Sequence, residues 1–247
     1  MKLLILSDIH GNLSALNAVL DQVVKTDQLD AMALLGDFID YGMRSNEVIK
    51  KIRELEIPAI CNIWGNHERA VVKEDYAHFS SERGVESAKN TRKYLSQETL
   101  DYLKSLPGIE GKQEFEWAGK KFLAVHGSLS DHYWKSIFPN QGNGIDGQFA
   151  GYEEYDYVLS GHSHYPHVFP IFYKIDNPAY RNKKRTIFIN PGSVGQPRNH
   201  DPRAQYAIID SDVGISLCAV HYDVKYEQSL FTDEVNGFYR ERLSNGI

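Results

Sequence analysis

Five short apolar runs in this chain each end on carboxylate, amide or imidazole side chains, and this recurrence constrains the fold more than any other feature. One run ends at Leu35 and is followed by Gly36, Asp37 and Asp40. The polar residues that end the other four runs lie at positions 8–10, 66–67, 126 and 162–164. A short continuous apolar run favours a buried strand, and in open α/β sheets ligands bind beyond the carboxyl ends of the strands. The pattern therefore predicts five strand ends that converge on one site.

The polar side chains at these strand ends are of the kinds that bind metal ions. The candidate ligands are Asp8, His10, Asp37, Asn66, His126, His162 and His164. Mixed nitrogen and oxygen donors suit Mn, Fe, Zn, Co or Ni better than Ca or Mg. We predict that these residues converge on two metal ions with Asp37 between them. Since the sequence offers no G-x-S-x-G motif or other nucleophile signature, a metal-activated water is the expected nucleophile.

Taken one at a time, these residues have simpler interpretations. Asp8, Asp37 and Asp40 could be helix caps or turn residues at strand ends, and His126 could be a hydrogen-bonded core histidine. Those interpretations leave the alignment of five strand ends unexplained. Surface or packing roles are expected for the remaining histidines, which are His78, His132, His167, His200 and His221.

The first hundred residues alternate between strand and helix patterns. Strands are predicted at 2–6, 31–35 and 59–63, with a helix that begins near Asn12 and a second helix that Pro58 closes. This β-α-β-α-β order predicts a parallel sheet with right-handed crossovers. Residues 69–110 contain no strand-like run and are predicted to form two helices, at roughly 69–80 and 85–105. This stretch is either a packing element or a lid.

The second half of the chain changes character. Residues 115–117 and 121–125 predict a hairpin, residues 129–151 predict a long loop, and a helical tail is expected from Asp233 on. Five further strand patterns, at 157–159, 168–173, 186–189, 205–209 and 215–220, suggest a second, largely antiparallel sheet. The predicted fold class is α/β, with two mixed β-sheets packed face to face and flanked by helices. We expect a single domain over residues 1–247, with a helical insertion at about 69–110 and a loop insertion at about 129–151.

Composition excludes several classes of protein. The formal net charge is −6 and the pI is about 5.9, which argues against stable nucleic-acid binding but still allows an anionic substrate at a metal site. Cys61 and Cys218 are expected to be buried free thiols. No apolar run approaches the 18 or more residues of a membrane span, and the N-terminal run is too short for a signal peptide. We therefore expect a cytoplasmic location, with no membrane partner, and leave the oligomeric state open.

The quoted strand ends resemble the signature blocks of the calcineurin-like metallophosphoesterases. The blocks occur in the family's order and cover residues 8 to 164. They are Asp8-Ile9-His10, Gly36-Asp37-Phe38-Ile39-Asp40, Gly65-Asn66-His67-Glu68, Val125-His126-Gly127 and Gly161-His162-Ser163-His164. One block alone is a weak signal, whereas five blocks in order are a specific one.

The resemblance implies a role for each residue. Asp8, His10 and His164 would hold one metal ion. Asn66, His126 and His162 would hold the other, and Asp37 would bridge the two together with the attacking hydroxide. His67 would act on the leaving group rather than bind metal, and Asp40 is the candidate that orients it. The implied cofactors are two divalent transition-metal ions, Mn first, with Fe, Zn, Ni or Co as alternatives.

A further stretch of sequence resembles one particular branch of this family. Residues 190–198 look like a loop of the small bacterial and archaeal phosphodiesterase-like branch, and residues 201–206 extend the match. Arg198 in this loop is a candidate to pair with a substrate phosphate, although a surface arginine on a structural turn is the simpler interpretation. Serine/threonine protein phosphatases carry arginine after the second acid of the G-D-x-x-D block. Tyr41 stands there instead, which argues against protein phosphatase activity.

The expected activity is a metal-dependent phosphoesterase that hydrolyses phosphodiester or nucleotide-type phosphate bonds of small substrates. One alternative is a diadenosine tetraphosphate hydrolase, the second activity found in the branch. Another, from a different class, is a non-catalytic scaffold with the same fold. A base or other aromatic leaving group would be bound by some of the aromatic residues of the long loop, which are Tyr133, Trp134, Phe138 and Phe149.

Overall fold

The structure, a computed structural model, describes residues 1–26, 28–139 and 149–247. Its strands and α-helices in chain order are β1 (Lys2–Leu6), α1 (Leu13–Thr26), β2 (Ala31–Leu34), α2 (Ser45–Arg53), β3 (Ala59–Asn62), α3 (Asn66–Lys73), α4 (Glu82–Tyr94), α5 (Gln97–Ser105), β4 (Lys112–Trp117), β5 (Lys120–Val125), β6 (Tyr157–Ser160), β7 (His167–Lys174), β8 (Lys183–Asn190), β9 (Ala204–Asp210), β10 (Gly214–Val220), α6 (Val224–Ser229) and α7 (Gly237–Asn245). They form two five-stranded sheets with shared core residues between them. The predicted fold class is confirmed.

The first sheet has the strand order β10-β9-β1-β2-β3. Its strands β1, β2 and β3 are parallel, as the sequence predicts. The assignment of β9 and β10 to the second sheet was wrong, because β9 pairs antiparallel with β1 and β10 follows it at the edge. The reason lies in the two apolar faces of β9: Ala207 and Ile209 face the other sheet, while Tyr206 and Ile208 pack on the helix side.

The second sheet has the order β4-β5-β6-β8-β7. The expectation of a largely antiparallel sheet was wrong, because β5, β6 and β8 are parallel and only the two edge pairs are antiparallel. The long connection from β5 to β6 and the passage through β7 supply the crossovers that parallel pairing needs. The predicted hairpin is confirmed as β4 and β5. Its turn places Ala118 and Gly119 in the left-handed region, with φ of 49° and 70°.

Three apolar layers hold these sheets. Ile5, Ala33, Phe122 and Leu159 belong to the layer between the sheets. Helices α1 and α2 cover the outer face of the first sheet. Ile137, Phe149 and Tyr152, from the connection between β5 and β6, cover the outer face of the second sheet. Part of the predicted 129–151 loop therefore serves as core, and its residues 140–148 lie outside the described residues.

The stretch 69–110 contains three helices rather than two. Ser96 interrupts the predicted second helix, because its side chain accepts a hydrogen bond from Thr99 N at 3.1 Å and so caps the start of α5. The first helix, α3, begins at Asn66, so one ligand block forms its first turn. At the other end of the chain, the predicted tail contains α7, which buries Tyr239, Arg242 and Leu243.

Both cysteines are free thiols, as predicted, although only Cys61 is fully buried and Cys218 is half-buried. Burial raises the pKa of the Cys61 thiol far above its ordinary value, so it stays neutral. In the described ranges, no helix combines the length and apolar character needed to cross a bilayer.

Candidate metal centre

The candidate ligands lie at one edge of the molecule, where five parallel strands of the two sheets end. In the first sheet, Leu6 of β1 lies beside Leu34 of β2, and Leu34 lies beside Asn62 of β3. In the second sheet, Val125 of β5 lies beside Ser160 of β6. Because each of these strands ends in the same direction at the same edge, the residues that follow them meet in one place.

The first group of candidate ligands contains Asp8, His10, Asp37 and His164. His10 Nε2 lies 3.3 Å from His164 Nε2 and 3.7 Å from Asp37 Oδ2. His164 Nε2 lies 3.1 Å from Asp8 Oδ1. All four residues are buried.

The second group contains Asp37, His126 and His162. Asn66 joins it, because its Oδ1 lies 3.0 Å from His126 Nε2 and 2.9 Å from His162 Nδ1. His126 Nε2 is also 3.2 Å from Asp37 Oδ2. Each Asp or His of a group offers one potential ligand atom, and these atoms all lie within 4.8 Å of one another. Asp37 belongs to both groups.

The second ring nitrogen of each histidine ligand contacts a backbone carbonyl. A carbonyl can only accept, so this nitrogen carries a proton and the nitrogen that faces the cluster is the one left for a metal, the arrangement found around bound metals. The pairs are His10 with Ile39, His126 with Leu35, His162 with Trp134 and His164 with Gln196, at 3.2, 2.7, 3.2 and 2.6 Å.

Two ring nitrogens and two carboxylate oxygens of the cluster are buried close to one another. The lone pairs of His10 Nε2 and His164 Nε2 meet at 3.3 Å. Asp8 Oδ1 and Asp37 Oδ2 are buried and form no hydrogen bond of good geometry in the described part of the chain, although His164 Nε2 and His126 Nε2 lie 3.1 and 3.2 Å from them. Such buried acceptors are costly unless a cation or donor compensates them. The donor set and its geometry therefore fit divalent metal ions.

The charges in the cluster are strongly coupled. Burial alone would raise the pKa of Asp37, but the neighbouring His126 and His67 outweigh it and hold the pKa well below its ordinary value. Burial would lower the pKa of His126, but Asp37 raises it to about 9. Burial, with the charge of His126, lowers the pKa of His162 to about 3. A metal that binds His126 through Nε2 therefore has to displace a proton.

Asp40 and His67 form a separate pair beside the cluster. Asp40 Oδ2 lies 2.7 Å from His67 Nδ1. The other oxygen of Asp40 accepts hydrogen bonds from Ser87 Oγ at 2.6 Å and Thr91 Oγ1 at 2.8 Å. Burial alone would lower the pKa of His67, but the charge of Asp37 and the bond to Asp40 raise it above the ordinary value. His67 also lines the cavity next to the cluster.

Glu68 organises the loop that carries Asp37, and the sequence analysis gave it no role. Its carboxylate accepts hydrogen bonds from the backbone N–H groups of Asp37 at 2.7 Å, Phe38 at 2.8 Å and Ile39 at 3.2 Å. It also accepts from Gly65 N at 2.8 Å, which is the glutamate half of a capping box at the start of α3. Gly65 has no side chain to form the other half, so the full Ser/Thr-x-x-Glu signal is absent from the sequence.

Gly65 permits the close contact between the second and third blocks. A Cβ at this position would lie 2.1 Å from Asp37 Oδ1 and 2.5 Å from Asp37 N. Many of the site residues also adopt a left-handed backbone, which costs non-glycine residues energy and clusters at functional sites. They are Asp8, His10, Asp37, Asp40, Tyr41, His162 and His164, with φ between 48° and 72°.

A cavity of about 440 Å³ opens onto the cluster. Of the four loop aromatics proposed to bind a base, Trp134 lines this cavity, while Phe149 is buried in the core. His78 also lines the cavity, and its ring stacks on that of Trp134 with centroids 5.6 Å apart. The sequence analysis did not place His78 at the site. Arg198 lines the same cavity, together with residues of α7.

Comparison with known proteins gives one family and several relatives. A model of the calcineurin-like phosphoesterase superfamily domain matches residues 1–214. An uncharacterised protein of Methanocaldococcus jannaschii is 33% identical over 226 residues, 90% of this chain and 88% of that protein. The crystal structure of a metallophosphoesterase from Sphaerobacter thermophilus has a TM-score of 0.77 and 27% identity, and the match covers 100% of this chain and 99% of that chain. A symmetrical bis(5′-nucleosyl)-tetraphosphatase of Yersinia pestis is 38% identical over only 68 residues, 28% of this chain and 23% of that protein.

Proposed function

This chain belongs to the calcineurin-like phosphoesterase superfamily, and we propose that it is a dinuclear metal-dependent phosphoesterase acting on phosphodiester or nucleotide-type phosphate bonds. The observation that carries the proposal is the position of Asp37, which is shared by two groups of ligand atoms and whose buried Oδ2 faces His10 of one group at 3.7 Å and His126 of the other at 3.2 Å. One shared carboxylate between two ligand groups suits a pair of metal ions that act on the same substrate.

Each ion would have its own ligands. Asp8, His10 and His164 would hold one, and Asn66, His126 and His162 would hold the other. Asp37 would bridge the two. When bound, two such ions acidify a water molecule and neutralise phosphoryl oxygens. The nitrogen and oxygen donor set suits Mn, and also Fe, Zn, Ni or Co.

His67 would act on the leaving group. Its Nδ1 is held by Asp40 at 2.7 Å, so the ring is fixed in one orientation and its proton can pass from Nε2 to the departing oxygen. Asp40 would be the positioning residue for this step, because its other oxygen is anchored by Ser87 and Thr91.

The cavity supports a substrate larger than inorganic phosphate. Its volume of about 440 Å³ is within the usual range for small-molecule sites. Arg198 would pair with a phosphate oxygen, and Trp134 offers a stacking surface. A dinucleoside tetraphosphate is a second candidate substrate, favoured by the short match to the Yersinia pestis tetraphosphatase.

The proposal is tested by a panel of phosphate esters and dinucleotides assayed with Mn, Fe, Co, Ni, Zn and Mg. We expect bis(p-nitrophenyl) phosphate to be hydrolysed only when a divalent metal is present. The matched control is His221→Ala, which removes an exposed histidine outside the cluster and leaves activity unchanged. A protein that binds two metals per chain and hydrolyses no ester would contradict the proposal and favour the scaffold alternative.

A further inference from the structure

Three arginines from three separate segments line the cavity. Arg83 lies in the first turn of α4, Arg198 follows β8, and Arg242 lies on α7. The other cavity-lining side chains include the candidate metal ligands Asp37 and Asn66. The three arginines and the proposed metal centre therefore line one cavity.

None of these arginines forms an ion pair with an Asp or Glu side chain within the ranges that the structure describes, whereas other arginines of the chain do. Arg198 Nε is buried without a hydrogen-bond partner there. The Nε of Arg242 donates to the backbone oxygen of Ile247. Arg83 and Arg242 lie over the same ring, that of Phe238, at 4.2 and 5.1 Å.

Keeping these charges together has a physical cost. Arg242 is only 8% exposed, and arginine is rarely buried to that degree unless its charge is paired with an anion. Burial, together with the positive charge of Arg198, lowers the pKa of Arg242 to about 10. Like charges held in a partly desolvated wall are unfavourable unless an anion offsets them. The arrangement is therefore suited to bind a negatively charged group.

Helix α7 is fixed relative to the metal centre by aromatic stacking. Tyr239 stacks on Tyr41 with ring centroids 4.2 Å apart, and Tyr41 contacts the His67 ring edge-on at 4.4 Å. The family model ends at residue 214, so Arg242 is supplied by a segment outside the matched domain. Of the three arginines, Arg83 and Arg198 lie within the matched residues, and Arg242 is added to them by α7.

We propose that Arg83, Arg198 and Arg242 form a subsite for a second phosphate group of the substrate, carried at a distance from the phosphate that is hydrolysed. This inference rests on the proposed phosphoesterase function and narrows it to substrates with two or more phosphates. The scissile phosphate would lie at the metal end of the cavity, while the distal phosphate would accept hydrogen bonds from the guanidinium groups, which bind phosphate oxygens in pairs.

The test compares two substrates that differ only in the distal phosphate. They are thymidine 5′-(p-nitrophenyl phosphate) and the same compound with an added 3′-phosphate, which share the scissile bond and the leaving group. The readout is the ratio of their kcat/KM values with Mn. For the wild type we expect a ratio of about 10 or more in favour of the added phosphate, the usual size of a charge-assisted hydrogen bond.

Arg242→Gln and Arg83→Gln should each reduce this ratio severalfold. Arg83 is exposed, so its replacement tests the idea even if the Arg242 variant folds poorly. The matched control is Arg240→Gln, which removes an exposed charge from the same helix and should leave the ratio unchanged. A wild-type ratio near 1, or a ratio that survives both cavity variants, would overturn the subsite. Failure to hydrolyse either ester would instead overturn the proposed function on which the subsite rests.

Discussion

Asp40 and His67 are joined by a hydrogen bond of 2.7 Å between Oδ2 and Nδ1, in a part of the site where both side chains are buried. Ser87 and Thr91 hold the other oxygen of Asp40. The imidazole therefore has one orientation, and its free nitrogen is available to the cavity. This geometry supports a role for His67 on the leaving group and not in the ligand shell of a metal.

The first prediction concerns His67. His67→Ala should keep both metals and the fold, because Asp8, Asp37 and the histidine ligands are untouched. It should lose about 10²–10⁴-fold in kcat on an alkyl or ribose-linked ester, the usual contribution of general acid catalysis. The loss should be much smaller on a p-nitrophenyl ester, whose leaving group departs without a proton. The measurement is kcat across esters of different leaving-group pKa.

Asp40→Asn is the companion variant and should show a weaker form of the same pattern, since it only disturbs the orientation of His67. Parallel dependences on leaving-group pKa for wild type and His67→Ala would show that His67 acts elsewhere. Loss of metal in His67→Ala would mean that the ligand shell is assigned wrongly.

The second prediction concerns metal stoichiometry. Asp37→Ala should disturb both ions because Asp37 is common to the two ligand groups. His164→Ala should mainly empty one, because His164 contacts Asp8 and His10 of the first group. Elemental analysis of the purified variants measures the number of metal ions per chain. Two metals per chain in Asp37→Ala would rule out the bridging position, and His221→Ala provides the unaffected reference.

The third prediction concerns Glu68. Glu68→Ala leaves the N–H groups of Asp37, Phe38 and Gly65 without their acceptor. Each buried donor left unsatisfied costs about 1–3 kcal/mol, so we expect a loss of about 3–5 kcal/mol in the free energy of unfolding, measured in urea. Metal affinity should fall as well, because these groups hold the Asp37 loop.

Two comparisons sharpen the Glu68 experiment. Glu56→Ala removes an exposed glutamate and should change stability by less than about 0.5 kcal/mol. Glu68→Gln keeps one acceptor oxygen and should lie between the wild type and Glu68→Ala. Equal stability of Glu68→Ala and Glu56→Ala would show that the four contacts of Glu68 contribute nothing net.

The fourth prediction concerns Trp134. Trp134→Ala should raise KM for a nucleotide ester more than for a small aryl phosphate, because stacking on a base contributes about 1–3 kcal/mol. The carbonyl of Trp134 that contacts His162 belongs to the backbone and is kept in the variant. Phe172→Ala, an exposed aromatic on β7, is the control. Equal effects of Trp134→Ala on both substrates would leave only a packing role.

Local pattern was sufficient for the strands that deliver the ligands. The apolar run before Asp8 forms β1, and the run before Asp37 forms β2. Both faces of these strands are covered, so a continuous apolar run is enough to predict where each strand lies and where it ends. The side chains that follow them meet because parallel strands share an edge. Their roles toward metal and substrate stay predictions until the variants above are measured.

The features that the sequence did not predict depend on contacts between segments that are distant along the chain. The sheet that receives β9 is decided by its pairing with β1, and no periodicity in residues 204–210 records that choice. Tyr239 and Arg242 reach the cavity because α7 stacks against Tyr41, almost 200 residues earlier in the chain. Glu68 differs from these, because its contact with Gly65 is local and only three residues apart, although a glycine cap does not give the capping-box signal that would have marked it.

Asp8, His10, Asp37, His162 and His164 have a left-handed backbone. This backbone determines which substitutions would be favoured at these positions if the activity were no longer under selection. Glycine takes up that conformation freely, whereas other residues lose about 1–2 kcal/mol. A single change to glycine at one of these positions would remove a candidate ligand and relieve backbone strain together. The relieved strain would offset part of the free energy lost with the buried side chain, so an inactive glycine variant should keep more stability than the alanine variant of the same position.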